Sequence, residues 1–334
     1  MSNLKEILIN KNICKSVWFM RQAGRYLPEF RKIRSQNQDF IKLCLNSELS
    51  SEITLQPIKR FDLDSAIIFS DILMVPHATG QKVEFIKDKG PILEKFDIKK
   101  FFDNNKISFT KKLEPVYSSI VKTRKKLDKK KSLIAFIGAP WTLLIYMYGV
   151  KLDKNNVNLE KINSKKSDIN QILDKLHEYL CVHIDNQIKA GADVIQIFDS
   201  WAGLIPEQDL IDYCINPNLK LVNFCKENNI PVVCFPKGIG KNYKKFNDIV
   251  KPHGINLDYT IDPSWAKQNL KNVVIQGGLD PKILLSSENQ IVKNTEKYLN
   301  IFNDIPYVFN LGHGLLPETD PDKVEKLINF YRKY

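Results

Sequence analysis

Metal-binding and disulfide patterns are missing from this sequence of 334 residues. Its six cysteines show no Cys-x-x-Cys pair and no paired spacing, and its five histidines form no metal-ligand pattern with them. Structural zinc sites and the disulfide frameworks of secreted proteins both depend on such spacings. We therefore expect no disulfides and no bound metal.

Targeting and membrane-spanning segments are also missing. Residues 1–12 are charged and contain no apolar run, so they do not predict a signal peptide. Residues 133–150 form a run of 18 without a charge, which is the lower limit for a membrane helix. Gly138, Ala139 and Pro140 interrupt this run, and they predict a strand, a turn and a helix instead. The expectation is a soluble, cytoplasmic protein.

Acidic residues are outnumbered, with 38 against 50 basic residues and a net charge of +12. The lysines are spread over the whole chain, and no recognised nucleic-acid-binding motif accompanies them. We therefore do not predict nucleic-acid binding. A diffuse positive field would still steer a small polyanion towards the protein.

Arginine is scarce, because 43 of the basic residues are lysine and only 7 are arginine. Four of the seven lie in residues 18–34, namely Arg21, Arg25, Arg31 and Arg34. A guanidinium is a planar fork that holds a carboxylate through two parallel hydrogen bonds, whereas an ammonium is a hydrated point charge. The segment predicts a clamp for a ligand with several carboxylates.

A plainer interpretation of the same segment is a helix that begins near Pro28 and exposes Arg31 and Arg34. The clamp is the better interpretation for Arg21 and Arg25, which flank the turn at Gly24. For Arg31 and Arg34 both interpretations stay open.

Seven short apolar segments alternate with segments of helical periodicity. Such alternation predicts a parallel sheet that is covered by helices on both faces. The predicted strands are residues 64–70, 133–138, 193–200, 231–235, 255–259, 272–276 and 307–310. The predicted helices are residues 39–60, 108–130, 167–190, 207–227, 241–251, a short helix from 263, 281–300 and 321–332. Residues 82–96 predict a hairpin with Lys89, Gly90 and Pro91 at its turn.

The fold prediction is a single α/β domain over residues 1–334, a (β/α)8 TIM-type barrel with room for distortion. The eighth strand is not identified. In such barrels the active site lies at the carboxyl ends of the strands. Asp71 and His313 follow predicted strands there, together with several glycines that would let a bulky ligand approach the backbone. Turn chemistry explains any one of these glycines alone, but the set predicts a wide pocket.

The segment FMRQAGRYLPEFR, residues 19–31, resembles the N-terminal signature of the uroporphyrinogen decarboxylase family. Further matches follow in order over nearly the whole chain. They are FSDILMVP (69–76), GAPWTLLIYM (138–147), FDSWAG (198–203), QGGLDP (276–281) and FNLGHGLLPETDP (309–321).

The resemblance implies removal of carbon dioxide from the four acetate side chains of uroporphyrinogen III, which gives coproporphyrinogen III in haem biosynthesis. It implies no cofactor, a homodimer, and Asp71 and Arg21 as catalytic residues. The substrate-binding residues that it implies are Arg21, Gln22, Ala23, Gly24, Arg25, Phe30, Arg34, Asp71, Tyr146, Ser200 and His313.

The chemistry that the resemblance implies needs no added electron sink. Protonation of the pyrrole carbon beside an acetate creates an iminium, which accepts the electrons released with carbon dioxide. The matching aspartate, Asp71, would accept hydrogen bonds from the pyrrole N–H groups and stabilise the positive ring. Arg21 is a poor acid near pH 7, so its expected role is electrostatic, and the proton donor stays open.

Several of these residues also have a structural interpretation. Asp71 could cap the helix that follows it, and Tyr146 and Ser200 could be structural. His313, between two glycines, is expected to be exposed enough to titrate near neutral pH and to bind a propionate, but it could also be a loop histidine bonded to backbone. Two rival functions also remain. Corrinoid-linked methyltransferases share this barrel but hold zinc with a His-x-Cys pair, which this chain lacks. A non-catalytic binder of anionic tetrapyrroles would share the arginine clamp, and only turnover separates it from an enzyme.

Overall fold

A curled sheet of seven parallel strands forms the centre of the protein. The computed structural model describes residues 3–86, 90–150, 152–153, 156–157 and 166–334. The strands, in chain order, are β1 Ser65–Ile67, β2 Val83–Ile86, β3 Gly90–Leu93, β4 Ser132–Gly138, β5 Leu152–Asp153, β6 Asn156–Val157, β7 Val194–Asp199, β8 Val232–Pro236, β9 Gly254–Leu257, β10 Val274–Gly277 and β11 Tyr307–Val308. The parallel sheet has the order β1, β4, β7, β8, β9, β10, β11. The pairs β2–β3 and β5–β6 are separate antiparallel hairpins.

All helices except α1 cover the convex side of this sheet and pack on it through one continuous apolar cluster. The helices are α1 Asn3–Asn10, α2 Pro28–Gln36, α3 Phe40–Cys44, α4 Ser47–Arg60, α5 Met74–Ala78, α6 Ile98–Asp103, α7 Lys106–Lys126, α8 Pro140–Met147, α9 Lys166–Lys189, α10 Asn216–Glu227, α11 Tyr243–Val250, α12 Pro263–Asn269, α13 Glu288–Ile301 and α14 Pro321–Lys333. Local sequence fixes many of their starts, because a proline at the first turn or an Asx side-chain cap precedes them.

Helix α1 closes the amino-terminal end of the sheet from inside. Its residues Leu4, Ile7 and Leu8 belong to a second, inner apolar cluster. Six strands each add one residue at that end, namely Ile67, Ile134, Val194, Val233, Val274 and Val308. Strand β9 contributes Gly254 instead, and a Cβ there would lie 2.9 Å from Leu8 Cδ2. Because glycine has no side chain, Gly254 leaves room for helix α1.

The segment from Ser16 to Trp18 bridges the two edges of the sheet. Its backbone exchanges hydrogen bonds with Phe309, from Trp18 N–H to the Phe309 carbonyl (3.3 Å) and from Phe309 N–H to the Ser16 carbonyl (2.9 Å). On the other side, the Val17 carbonyl accepts the Asp64 N–H at 3.0 Å, just before β1. The seven paired strands therefore form a curled half-barrel whose open edges are linked by this segment.

The predicted strand and helix pattern is confirmed for all seven sheet strands, with shifts at the ends. The helix expected over residues 39–60 is two helices, because Asn46 begins α4 as a new cap, with its Oδ1 accepting the Leu49 N–H at 3.1 Å. The strand expected over residues 64–70 ends at Ile67, so Asp71 lies four residues beyond it.

The hairpin of residues 82–96 is confirmed as β2 and β3, but Gly90 and Pro91, expected at the turn, are paired in β3 with Ile86 and Phe85. Its expected turn residue Lys89 lies outside the described residues. The charge-free run of residues 133–150 holds β4 and α8, as predicted. Over the described ranges no helix is both long and apolar enough to span a membrane.

Candidate active site

The inner face of the sheet carries layers of side chains between helix α1 and the carboxyl ends of the strands. We call the carboxyl end of the sheet the mouth. Above the apolar layer lies a belt of buried amides from β7, β9 and β10. Gln276 is its centre, because its Nε2 donates to Gln196 Oε1 (3.2 Å) and to Asn256 Oδ1 (2.7 Å). Its Oε1 accepts the Trp18 indole N–H at 3.0 Å. The belt thus fixes the position of the segment that leads to Arg21.

Arg21 begins the loop after that segment in a strained backbone conformation, with φ +61°. A left-handed conformation is unfavourable for a residue with a side chain and persists only where the surroundings enforce it. Two bonds hold the residue before it, from Met20 N–H to Asn310 Oδ1 (3.2 Å) and from Leu315 N–H to the Met20 carbonyl (2.9 Å). The residue after it, Gln22, is fixed as well.

Gln22 is buried and anchors the loop to β1. Its Oε1 accepts the Phe19 N–H and its Nε2 donates to the Ser65 carbonyl, both at 3.0 Å. Its backbone carbonyl accepts the Tyr26 hydroxyl at 2.8 Å. The Gln22 side chain is therefore engaged by the protein itself, and its contribution to the site is to hold Arg21.

The Arg21 side chain lies across the loop that follows β11. A Cβ at Gly314 would lie 2.4 Å from Arg21 Cδ, so only glycine fits there beside the arginine stem. Solvent reaches Arg21, yet the protein surrounds it closely enough that burial lowers the pKa of its guanidinium, against the attraction of Asp71. The guanidinium makes no hydrogen bond or ion pair with any described residue.

Arg25 adds a second guanidinium near the first, since its charge further lowers the pKa of Arg21. Arg25 is exposed and, within the described part of the chain, has no side-chain partner. The backbone N–H groups of Ala23 and Gly24 likewise meet no acceptor among the described residues. This turn therefore presents several free donors to the mouth.

The other five arginines all bind the protein. Arg31 Nη1 donates to the carbonyls of Arg25 (2.9 Å) and Tyr26 (2.8 Å), so it supports the turn rather than forming free helix surface. Arg34 donates to the Asn37 carbonyl (2.5 Å). The remaining three form ion pairs with acidic residues, and they are Arg60, Arg124 and Arg332.

Two further predicted residues lie at the edge of the site. Phe30 is only 4% exposed and packs on Phe69, with ring centroids 5.6 Å apart. The guanidinium of Arg34 stacks over the Phe40 ring at 5.8 Å. Both residues therefore support the wall behind Asp71 through packing.

Asp71 carries the negative charge of the mouth. Burial raises the pKa of its carboxyl from 3.8 to about 6, although the Leu73 N–H and the Arg21 charge both act to lower it. The Leu73 N–H donates to Asp71 Oδ1 at 2.8 Å, so one oxygen closes a turn before α5. No described residue donates a hydrogen bond to the other oxygen, Oδ2. Asp71 thus combines the structural and the functional interpretations.

Tyr146 and Ser200 lie on the wall formed by α8 and the end of β7. Burial raises the pKa of the Tyr146 hydroxyl, and the charges of Asp71 and Arg21 both act on it. The Tyr146 ring contacts the Trp201 ring, with centroids 5.9 Å apart. Ser200 is half-buried beside Trp201. These residues therefore share the mouth with the Arg21–Asp71 pair.

His313 is half-buried between Gly312 and Gly314. Burial lowers the pKa of its imidazole to about 4, and the charges of Lys237 and Arg21 lower it further. It is therefore neutral near pH 7, in contrast to the expectation that it titrates there. Its buried Nδ1 has no hydrogen-bond partner in the described structure, so it is not the backbone-bonded loop histidine of the plainer interpretation.

Sequence reasoning missed the group that positions the Ser200 loop. Asp199 is buried, and its Oδ1 accepts the Thr142 hydroxyl at 2.7 Å. Thr142 Oγ1 in turn accepts the Trp201 N–H at 3.1 Å, and the Trp141 indole N–H donates to the Trp201 carbonyl at 3.1 Å. The pattern FDSWAG was recognised as a unit, but its pairing with α8 required the fold.

A second hollow lies far from the mouth. This open hollow of about 460 Å³ lies at the opposite end of the sheet and is lined by Asn3, Glu6, Asp64, Asp128, Lys130 and Lys131. It contains none of the predicted site residues, so it does not compete with the mouth. Over the described ranges no group of three or more His, Cys, Asp or Glu could hold a metal ion.

Comparison with protein families gives a match over nearly the whole chain. A family model described as uroporphyrinogen decarboxylase (URO-D) matches residues 14–334. A protein named uroporphyrinogen decarboxylase from Rickettsia bellii (strain RML369-C) is 42% identical over 321 residues. Another of that name from Orientia tsutsugamushi (strain Ikeda) is 41% identical over 324 residues. Each alignment covers 95% of this chain and 94% of the relative.

Solved structures show the same fold at lower sequence identity. A methyltransferase from Methanosarcina mazei superposes with a TM-score of 0.77 at 16% identity and covers 99% of this chain and 97% of its own. A putative vitamin-B12-independent methionine synthase from Listeria monocytogenes reaches a TM-score of 0.51 at 13% identity, covering 93% and 90%. At these identities the likeness concerns the fold alone.

Proposed function

The chain belongs to the uroporphyrinogen decarboxylase family, and we propose that it converts the four acetate side chains of uroporphyrinogen III to methyl groups. The product is coproporphyrinogen III, an intermediate of haem biosynthesis. The observation that carries the proposal is the position of Arg21 and Arg25, which have no side-chain partner among the described residues, beside the carboxylate of Asp71 at one mouth. That arrangement suits a large ring bordered by carboxylates.

The arginine pair supports recognition of the side chains. Arg21 and Arg25 are the two arginines, of seven, that have no partner among the described residues. Both side chains reach solvent, and the protein around Arg21 is close enough to lower the pKa of its guanidinium. Substrate carboxylates would supply the missing partners through charge-assisted hydrogen bonds.

Asp71 supports the decarboxylation step. When a pyrrole carbon accepts a proton, positive charge spreads to the ring nitrogen, and the bond to the departing carboxylate then breaks towards that iminium. The methylene left behind takes up a proton to become methyl, and the ring carbon loses its added proton, which restores the pyrrole. Asp71 keeps Oδ2 free to accept the pyrrole N–H while Oδ1 is held by Leu73. An already positioned carboxylate stabilises the developing charge without reorganising. Arg21 assists by holding the acetate that leaves as carbon dioxide.

The proposal also covers the closure of the barrel, the cellular location and the oligomeric state. We propose that the half-barrel and the Ser16–Trp18 segment together form one closed, distorted (β/α)8-type domain, since that segment bonds to both edges of the sheet. We also propose that the chain acts in the cytoplasm as a homodimer. Analytical ultracentrifugation of purified protein tests the dimer directly.

Anaerobic incubation with uroporphyrinogen III tests the function. The oxidised products are separated by chromatography, and we expect conversion from eight carboxylates, through seven, six and five, to four. Unchanged substrate in the presence of folded protein would refute the proposed decarboxylation and leave the non-catalytic tetrapyrrole binder as one rival. A zinc-dependent methyltransferase is the other rival, and metal analysis of the same sample distinguishes it.

A further inference from the structure

Lys237 is a half-buried cation at the mouth that the assignments above leave without a role. It follows β8 directly. Phe235, two residues earlier in β8, belongs to the inner apolar cluster. Lys237 lies in the turn after the strand, and because its charge acts on His313 and the charge of Arg21 acts on it, its ammonium lies at the mouth.

The backbone around Lys237 is fixed on both sides. Its N–H donates to the Asp199 carbonyl at 3.1 Å, and its carbonyl accepts the Gly203 N–H at 2.9 Å. The next residue, Gly238, donates its N–H to Asp258 Oδ2 at 2.8 Å. The stem of Lys237 therefore starts from a rigid support that joins the ends of β7, β8 and β9.

No carboxylate in the described structure neutralises the Lys237 ammonium. Asp258 attracts the ammonium without forming an ion pair with it, and its oxygens accept the hydroxyls of Tyr243 and Thr260 and two backbone N–H groups. Burial lowers the pKa of Lys237 against this attraction, and the charge of Arg21 lowers it further. Three cations therefore lie at the mouth, Arg21, Arg25 and Lys237, and none of them forms an ion pair with a described carboxylate.

We propose that Lys237 binds a carboxylate of the tetrapyrrole substrate, as a third cationic contact beside Arg21 and Arg25. The inference rests on the proposed function for the identity of the ligand. An ammonium on a flexible stem accepts a carboxylate from many directions, whereas a guanidinium fork selects one plane. Lys237 therefore suits an arm whose position changes as the ring is turned for successive decarboxylations.

Replacement of the ammonium tests the inference, with binding followed by quenching of tryptophan fluorescence. Lys237→Met keeps the stem and removes the charge, and Lys241→Met removes the same charge from the exposed turn four residues later. The ligands are coproporphyrinogen III at equilibrium and uroporphyrinogen III in rapid mixing, before conversion. We expect Kd to rise roughly 10- to 100-fold for Lys237→Met, the range for one charge-assisted hydrogen bond. Lys241→Met should bind within about threefold of the parent protein, and Lys237→Arg, which keeps the charge on a less adaptable group, should bind more tightly than Lys237→Met.

The two ligands distinguish which arm is bound, because coproporphyrinogen retains the propionates and lacks the acetates. Equal weakening of both identifies a propionate, and weakening of uroporphyrinogen alone identifies an acetate. The inference is overturned if Lys237→Met binds both ligands like the parent, if Lys241→Met weakens binding equally, or if Lys237→Arg binds as poorly as Lys237→Met. Binding does not require turnover, so a parent protein that binds without converting would refute the proposed function and leave the result for Lys237 intact.

Discussion

Asp71→Asn separates the chemical role of this residue from its structural one. The amide keeps the size of the side chain and one oxygen that can accept the Leu73 N–H, but it removes the charge. If the charge stabilises the protonated pyrrole, kcat should fall by about 10²–10³, the usual loss when a preorganised electrostatic group is removed. Anaerobic product chromatography at saturating substrate measures this effect.

The same substitution should make the protein more stable at pH 7. The pKa of Asp71 is raised in the folded protein from 3.8 to about 6, so the ionised carboxylate disfavours folding, increasingly from about pH 4 to pH 6. About two pKa units correspond to roughly 3 kcal/mol, and solvent in the mouth reduces this to about 1–2 kcal/mol. In denaturant unfolding, Asp71→Asn should therefore have a higher free energy of unfolding than the parent protein at pH 7 and an equal one below pH 4.

The pH dependence of activity gives a third readout. Because the ionised carboxylate is the active form, kcat/KM of the parent should rise with pH through about 6. In Asp71→Asn, kcat/KM should not rise with pH in this range. Asp262→Asn is the control, because Asp262 accepts the Trp265 N–H at 2.9 Å as an exposed cap and should leave activity unchanged. Near-full kcat in Asp71→Asn would falsify the electrostatic role, and a less stable variant would make Asp71 mainly a cap.

Three further predictions follow from contacts at and away from the mouth. Arg21→Lys should lower kcat/KM by roughly 10- to 100-fold, through the loss of one charge-assisted hydrogen bond. Arg31→Lys should mainly lower the free energy of unfolding, by about 1 kcal/mol, because Arg31 holds the turn, and equal kinetic losses in the two variants would contradict the clamp. Gly314→Ala should displace Arg21 and reduce activity in a protein that still folds, while Gly254→Ala should press on Leu8 and reduce thermal stability alone; the reverse pattern would refute the placement of Arg21. Chelator-treated protein should keep full activity without added metal, and activity restored only by zinc would instead support the methyltransferase rival.

Local sequence signals were sufficient for most of the fold. Buried parallel strands are continuous apolar runs between helices, so their existence and order could be predicted without the structure. The division between α3 and α4 had a signal as well, because Asn46 is a preferred cap residue. The segment that links the sheet edges was overlooked, although Val17–Met20 is an apolar run, since a single bridge to Phe309 is its main strand-like feature.

Contacts between distant parts of the chain could not be predicted in this way. The clustering of arginines in residues 18–34 indicated Arg21. The glycine that makes room for its stem, Gly314, follows the last strand of the sheet and is distant from Arg21 in the sequence. His313 was expected to titrate near neutral pH, and burial among cations prevents this. Burial and neighbouring charge depend on the assembled mouth, which no local pattern describes.

Several features of the mouth are unfavourable in the protein without a ligand, and one kind of ligand would pair its charges. Arg21 is held in a left-handed conformation, its guanidinium and that of Arg25 are without partners in the described structure, and Asp71 is ionised where burial opposes it. The left-handed conformation of Arg21 and the buried charge of Asp71 each disfavour the folded state, and stabilising mutations at such sites commonly reduce function. A ligand with carboxylates for the cations and N–H donors for Asp71 would pair the charges of the mouth. The substrate that satisfies both conditions is a polycarboxylate ring with inward-facing pyrrole nitrogens, which is why the arrangement of charge favours the same ligand as the family.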